Sequence, residues 1–575
     1  MSNKVHIFFL KNKNYTNLLF KYMVIFILCL SKNPVFAQSQ IEIHTAKKIY
    51  VADSQMSTIE SFAIHGGSII FTGSINDAKT KYKNAKIIHH KGILYPGFID
   101  AHCHFLAYCR GTKELNVFGI SNPAKIAKMA KKFARKTKRI WIVGRGWDQN
   151  LWKSNEFPSK EILDKTVPKR PVCLSRVDGH AVWVNSKAIE TLKLNLDTII
   201  SGGEIVKDQL GKPTGIFIDN AADWITSQIP KLDEETMNEA VKKGLEQVYS
   251  NGLTTIDEAG LEYSDIEYIN KLQTLGEMNL RVYAMMRYNL ENIEKLLMSP
   301  NNPYYENNML NVRSMKFYLD GALGSRGALL KNDYCDRLGH HGLQLLNMNE
   351  FELWCTQLRQ RNYQVCVHAI GDSANSLVIK SFKKLIPSDQ NLRWRIEHAQ
   401  IFSPKDMKVL SERSIIPSIQ PTHATSDAPW ALSRLCIDTA QSKGNKNIYN
   451  PMTGAYAYKN LIKYSKILAL GTDFPVENIS TMATFFAATQ RKDIGGQLKT
   501  PFIPSQALSR KETLLGMTLW PAYANFEESL KGSLQVGKFA DFIEIDTDLL
   551  EAEPNVLQKA KILKTYINGQ LVWKK

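Results

Sequence analysis

Apolar and polar positions change rhythm along the chain, and each rhythm predicts a different kind of element. Between residues 40 and 95, short apolar runs at 46–51, 61–65, 68–73 and 85–89 alternate with polar turns. That texture predicts the strands of a small sheet. Further along, the runs become more continuous, at 98–104, 253–258, 281–287, 314–320, 364–368, 393–398, 414–420 and 467–473. Each of these ends in polar residues, and helical patterns such as 234–249 and 375–385 lie between them. Strands apolar on both faces, alternating with amphipathic helices, are the mark of parallel βα units. Eight such strands predict an α/β fold, a closed (β/α)8 TIM-like barrel. After residue 530 the short rhythm returns at 532–546 and 562–572, with a turn at Asn568-Gly569. The two chain ends are therefore expected to pair into one composite β-sandwich domain.

The span from residue 104 to residue 253 is far too long for one loop. It has strand candidates of its own at 139–144, 172–177, 202–206 and 215–218, and it reads as a domain inserted over the barrel mouth. The organisation expected is a signal peptide at 1–37, the first part of the β domain at 38–95, and the barrel at 96–530. The insertion occupies about 105–250, and residues 531–575 complete the β domain.

The leader changes where the protein is expected to work. Residues 1–37 carry Lys4, Lys11, Lys13 and Lys21, no acidic residue, and an apolar core at 23–30, the pattern of a secretory signal peptide. Cleavage is expected between Ala37 and Gln38. No cysteine follows the cut, which argues against a lipid anchor, and the core is short for a membrane span. The mature chain is thus expected in the periplasm or secreted, without stable membrane insertion.

Charge changes the picture little. Five lysines lie before residue 38, so their removal takes the formal charge from +18 to +13. Basic residues are spread out, and the densest run, 128–138, reads as the solvated face of a helix whose other face carries Ile126, Met129, Ala130 and Phe133. No aromatic-interleaved basic motif or zinc-finger spacing is present, so a nucleic-acid partner is not expected. Seven cysteines scattered beyond the leader are no disulfide framework, although an exported chain could still pair two of them. No heptad or apolar stripe marks a subunit interface, and a homodimer stays open.

The candidate chemistry begins at His102 and His104. Residues i and i+2 of a strand face one side, so both imidazoles can point at one centre, and neutral imidazole is a common ligand for zinc and similar ions. Cys103 between them faces the opposite way, toward the core. In a barrel of this kind the C-terminal strand ends converge. They bring together His102 and His104, Lys316, His368, His398 and Asp473. Four histidines and a carboxylate at one mouth specify a metal site. His89-His90 and His340-His341 lie in polar sequence and are expected at the surface. Trp141, Trp147, Trp152 and Trp183 are expected to form the core of the insertion, with one of them a candidate for the pocket wall.

The motifs resemble those of the metal-dependent amidohydrolase superfamily, and within it the amidohydrolase 3 or YtcJ-like group. They are Pro-Gly-Phe-Ile-Asp-Ala-His-Cys-His (96–104), Asp-Gly-His-Ala-Val-Trp-Val-Asn-Ser (178–186), Lys-Phe-Tyr-Leu-Asp-Gly-Ala-Leu-Gly-Ser-Arg-Gly-Ala (316–328), Val-His-Ala-Ile-Gly-Asp (367–372), Glu-His-Ala-Gln (397–400), Gln-Pro-Thr-His (420–423), Gly-Thr-Asp-Phe-Pro-Val (471–476) and Val-Gly-Lys-Phe-Ala-Asp-Phe (536–542). The resemblance runs from about residue 40 to the C-terminus.

It implies a pair of divalent ions, usually zinc. His102, His104 and Asp473 would hold the more buried ion, His368 and His398 the other, and Lys316 would bridge them as an N-carboxylated lysine. A plain ammonium could not ligate. The alternatives are Lys316 paired with Asp320 or Glu258, or Glu258 itself as a ligand. The implied chemistry is attack by a metal-activated hydroxide, with Asp473 as general base carrying the proton to the leaving nitrogen. His180, Arg326 and His423 are candidates to hold a small-molecule substrate, and His180 and Arg326 are equally candidates for structural anchors. The function expected is hydrolysis of a non-peptide carbon–nitrogen bond of the EC 3.5 type, in an N-acyl or N-formyl amine. Ester or lactone hydrolysis, amidine deamination at the same site, and a catalytically inactive metal-binding protein are the competing expectations.

Overall fold

A computed structural model describes residues 40–195, 198–298, 308–435 and 453–575. The leader lies outside the described residues, and so do the expectations about it.

Eight parallel strands form the central sheet: β1 (Phe98–Cys103), β2 (Leu253–Leu261), β3 (Arg281–Arg287), β4 (Leu310–Tyr318), β5 (Gln364–Ala369), β6 (Arg395–His398), β7 (Ile416–Ile419) and β8 (Ala469–Leu470). They follow one another in chain order around a nearly closed barrel. Their apolar runs are continuous because one face meets the outer helices and the other the barrel interior. Gly97 marks a close approach at the base of β1: a Cβ there would lie 2.2 Å from Thr254 Oγ1.

Part of the barrel interior is charged. Arg395 is fully buried, with Nη1 2.9 Å from Asp257 Oδ2 and Nε 2.7 Å from Glu397 Oε1. Its Nη2 donates to Ala101 O at 2.5 Å and to Ser418 Oγ at 3.1 Å. One guanidinium therefore ties β1, β2, β6 and β7 together. Burial pushes the Glu397 carboxyl up, but Arg395 and His102 overcome that effect and hold it well below the usual carboxylate range. Planar, weakly hydrated guanidinium suits this role because it keeps its charge and offers several donors at once.

Two further sheets flank the barrel. One orders strands 203–207, 213–219, 181–184, 172–176, 142–147 and 115–116. The strand at 181–184 escaped the sequence pattern because its four residues are all buried and show no alternation. Trp147, Trp152 and Trp183 pack in the main core of this sheet and Trp141 in a second cluster, and none of the four lines the central cavity. The other sheet joins strands from both ends of the chain, at 42–50, 58–65, 68–73, 86–89 and 93–96 with 542–545, 562–567 and 570–574. Its last hairpin turns at Asn568 and Gly569, both with positive φ, as a tight two-residue turn requires.

His90 corrects one expectation. It is buried, not on the surface, with Nε2 3.0 Å from His44 Nδ1 and Nδ1 2.8 Å from Glu544 Oε2. The neighbouring polar residues suggested a loop, but Glu544 comes from the far end of the chain and gives the imidazole its buried partner. Of the other pair, His341 is exposed and His340 half-buried, its Nε2 2.8 Å from the Arg326 carbonyl.

Candidate metal centre

Strand β1 runs directly into helix α1 (Phe105–Gly111). His102 lies near the end of the strand and His104 stands at the helix N-terminus. Glu258, toward the end of β2, accepts from the backbone N–H groups of Phe105 and Leu106. It therefore caps α1, where a carboxylate is favoured, and its oxygens are committed away from the centre. Cys103 is fully buried with Sγ 3.8 Å from Glu258, on the other side of the strand from the histidine pair.

The first group of ligand atoms is held from behind. His102 Nδ1 lies 2.5 Å from Glu397 Oε2, so its Nε2 is turned inward, 3.9 Å from Asp473 Oδ1. His104 Nε2 lies 3.2 Å from the same oxygen. These three residues place one ligand atom each within 4.8 Å of one another. Burial lowers the His102 imidazole to about 4, which keeps it neutral, the form that can donate a lone pair.

The second group shares Asp473. His398 Nδ1 is 2.8 Å from Gln420 Oε1, leaving Nε2 free to face inward, and His423 Nε2 is 3.6 Å from Asp473 Oδ2. His398, His423 and Asp473 also meet within 4.8 Å. His423 lies on helix α2 (Pro421–Asp427), one residue beyond its Pro421-Thr422 start. The sequence offered it as a substrate contact; its proximity to Asp473 follows from the short strand β7, which ends at Ile419 and lets the helix begin over the centre. His368 stands beside this group, its ring 4.5 Å from that of His398, with Nε2 3.6 Å from Asp320 Oδ1.

Asp473 and His398 adopt left-handed backbone angles, φ +59 and +70, as does Ala399 at +42. Such conformations cost energy for residues with a Cβ and persist where the surroundings enforce them. The Asp473 N–H donates to His102 O at 2.8 Å. Asp100 accepts from Thr472 N and Thr472 Oγ1, at 2.9 and 2.6 Å, and from His102 N at 3.2 Å. These bonds fasten β1 to the end of β8. Gly471 leaves no room beside them, since a Cβ would lie 2.5 Å from His102 N and 2.9 Å from Asp100 Oδ1. The Gly471→Ala variant is expected to lose about 1–3 kcal/mol of stability and to bind less metal, measured by urea unfolding and metal analysis. Full metal content at unchanged stability would show that the backbone of β1 can give way.

Lys316 is fully buried, and its Nζ has no hydrogen-bond partner. Burial pushes its ammonium down to about 8. Neither carboxylate expected as an alternative partner is available: Glu258 caps α1, and Asp320 accepts from the N–H groups of Leu329, Ile370 and Gly371 at 2.8 to 3.0 Å. Asp473 Oδ1 and His423 Nε2 are likewise buried without hydrogen-bond partners. Buried polar atoms are rarely left so. An imidazole and carboxylate set with unsatisfied atoms turned to one centre, and with second nitrogens anchored behind, fits a divalent cation.

The centre opens into a cavity of about 630 Å³. His180 lines it, with its ring 5.0 Å from that of His368 and Nδ1 2.7 Å from Asp219 Oδ1. Burial opposes a charge on His180, but Asp219 outweighs it and pushes the imidazole up to about 9. Arg326 does not line the cavity. It forks onto Asp336 at 3.1 and 2.9 Å, and the carboxylate that claims it lies ten residues on, in a loop whose fold the sequence pattern did not show. Glu397 and Gln420 were not singled out as supports; the signal available was the position of each, beside His398 and at the end of the next strand.

The model of the Amidohydrolase family matches residues 91–573. A Bacillus subtilis (strain 168) protein bearing the name amidohydrolase YtcJ is 29% identical over 541 residues, 92% of this chain and 98% of that one. The N-substituted formamide deformylase of Arthrobacter pascens is 21% identical, over 91% of this chain and 96% of its own. Among solved structures, an uncharacterized metal-dependent hydrolase from Pyrococcus furiosus superposes with a TM-score of 0.69 at 24% identity, covering 89% of this chain and all of that one. A strand order that closes eight βα units, a clustered donor set at their C-terminal ends, and a family match over most of the chain converge: the chain belongs to the amidohydrolase family.

Proposed function

We propose that this protein hydrolyses the carbon–nitrogen bond of an N-acyl or N-formyl amine, with zinc as its metal. The observation that carries the reading is the position of Asp473, whose two oxygens face His104 and His423 from one buried carboxylate. A centre built only to bind would need no group able to carry a proton beside a cavity. The relative named N-substituted formamide deformylase supports a formamide or acylamide in preference to an ester.

In this reading His102, His104 and Asp473 would hold one ion and His368 and His398 a second, and a carboxylated Lys316 would supply further anionic oxygens for them. The unpartnered Nζ of Lys316 supports the carbamate, since carboxylation replaces an unsatisfied buried amine by two ligating oxygens. A divalent ion there supplies polarisation of the scissile carbonyl and water of lowered pKa. Asp473 takes the proton of the attacking water and delivers it to the nitrogen as the carbon–nitrogen bond breaks. His180, anchored by Asp219, directs Nε2 into the cavity to hold the substrate, and His423 flanks it from α2. A single shared ion is the second arrangement, favoured by the closeness of His398, His423 and Asp473; metal analysis at two ions per chain would sink it.

We also place the mature protein outside the cytoplasm. Supporting this, Cys335 is disulfide-bonded, and such bonds persist mainly in oxidising compartments. Five other cysteines are free and buried. Among the described residues no helix is long and apolar enough to cross a membrane.

The test is turnover of N-formyl, N-acetyl and longer N-acyl amines beside matched esters, before and after chelation and after zinc is returned. Amide cleavage lost with the metal and restored by zinc is expected. Ester cleavage alone would move the assignment to an esterase, and a metal-loaded protein inert to both would leave deamination or pure binding as the better account.

A further inference from the structure

Charge along the cavity wall is lopsided. Asp148, Asp178, Asp427, Glu477 and Asp493 line it in addition to Asp473, whereas Arg176 is its one lysine or arginine among the described residues. This acidic wall belongs to a chain of formal charge +18. Arg176 is already neutralised, lying 2.6 Å from Asp148 Oδ1 and paired with Asp178, and Asp493 is occupied by the backbone N–H groups of Gln497 and Leu498. Asp427 and Glu477 remain. Among the described residues neither has a lysine or arginine within ion-pairing distance.

Both carboxylates are held so that part of each stays open. Asp427 Oδ2 accepts from Tyr456 OH at 2.8 Å and Gln400 Nε2 at 3.0 Å, which fixes the group and leaves Oδ1 unused. Glu477 Oε1 accepts from Ser426 Oγ at 2.5 Å, leaving Oε2. Beside them Thr422, 8% exposed and on the same cavity wall, keeps its Oγ1 without a partner. Burial pushes the Asp427 carboxyl up to about 7; His423 and the Tyr456 hydroxyl oppose the rise, while the nearby Glu477 and Asp148 add to it. Burial raises Glu477 as well. Two partly buried carboxylates on one wall, with no lysine or arginine against either among the described residues, are costly unless a further cation offsets them.

We propose that Asp427 and Glu477 form a subsite for a cationic group of the substrate, so that the preferred amide carries an ammonium at its far end, as a mono-N-acylated diamine does. The distance follows from the helix. His423 and Asp427 are four residues apart on α2 and share a face, so the cation sits on the order of 6 Å along the helix from His423, at 1.5 Å of rise per residue. That span suits a butyl or pentyl spacer. Trp430, Leu498 and Phe118 supply apolar wall for it. Thr422 offers its hydroxyl as an additional acceptor for the ammonium.

This inference rests on amide hydrolysis, and the test separates the two. Mono-N-acetylbutanediamine and the neutral N-butylacetamide are compared by kcat/KM in the metal-loaded wild type, in Asp427→Asn and in Glu477→Gln. The charged substrate is expected to be preferred at least tenfold by the wild type, with the ratio falling toward one in each variant. Equal rates in the wild type, or a preference that survives both substitutions, would overturn the subsite. If neither amide is cleaved, calorimetric binding of butylammonium decides: binding by the wild type that Asp427→Asn loses supports the subsite while the hydrolysis reading fails, and no binding by the wild type overturns it. Urea unfolding of each variant checks that the fold is kept. Should a variant unfold, inhibition of the wild type takes its place: competition by butylammonium but not by butanol supports the subsite, and equal effects of the two overturn it.

Discussion

Replacing Asp473 by Asn is expected to lower kcat for amide cleavage by about a hundredfold to ten-thousandfold, the range that a positioned proton carrier contributes. The substitution keeps shape and nearly keeps volume, so the backbone bond to His102 O and the left-handed turn survive. It removes the negative charge facing His104 and His423 and the ability to receive a proton. Loss of a ligand would show as lost metal, and loss of the proton carrier as a metal-loaded but slow enzyme. Steady-state kinetics with metal analysis on the same sample tells these apart. A variant that keeps its metal and retains more than about a tenth of wild-type kcat would remove Asp473 from the proton path.

Arg395→Met is expected to destabilise the fold by roughly 3–5 kcal/mol, the usual cost of leaving buried charges without their partner. Asp257 and Glu397 are both fully buried against this guanidinium, and methionine fills most of the space while supplying no charge. The effect should reach the metal centre as well. Glu397 is held by Arg395 and in turn holds His102 Nδ1, so losing the outer partner frees the imidazole, and a change of this kind typically weakens metal binding about 10–100-fold. The urea midpoint and a competitive zinc titration measure the two effects separately. A loss below about 1 kcal/mol with zinc affinity unchanged would mean that Asp257 and Glu397 find other partners, Asn525 being one at 2.7 Å from Asp257.

The barrel was legible because its signal is local and repeated. Each strand is an apolar run closed by polar residues, and burial on both faces leaves such runs unbroken. The convergence of His102, His104, Lys316, His368, His398 and Asp473 followed from the same fact, since parallel strands deliver their C-terminal ends to one mouth. Where expectation and structure part, the deciding partner came from another segment of the chain. His90 looked like a surface residue until Glu544, 454 positions on, proved to be its partner. Arg326 was a candidate for either substrate contact or structural anchor, and a loop carboxylate that takes both arms of its guanidinium decides for the anchor. Glu258, the alternative ligand or partner of Lys316, instead caps the helix that follows a different strand.

By itself, then, the sequence determined the alternation of strands and helices, the barrel that follows from it, and the residue types gathered at its mouth. Those depend on hydrophobic period and on position within a strand, which any stretch of chain displays without its neighbours. Only the tertiary structure decided which polar atoms are already satisfied and which are left open. It assigned Glu397 and Gln420 to the backs of His102 and His398 and committed Glu258 and Asp320 to backbone N–H groups. It also left the Lys316 amine unpartnered and set Asp427 and Glu477 along the cavity. The physical reason is that a buried polar group takes its state from whatever lies within about 3 Å of it, and those neighbours are brought by segments whose separation along the chain says nothing of their distance in space.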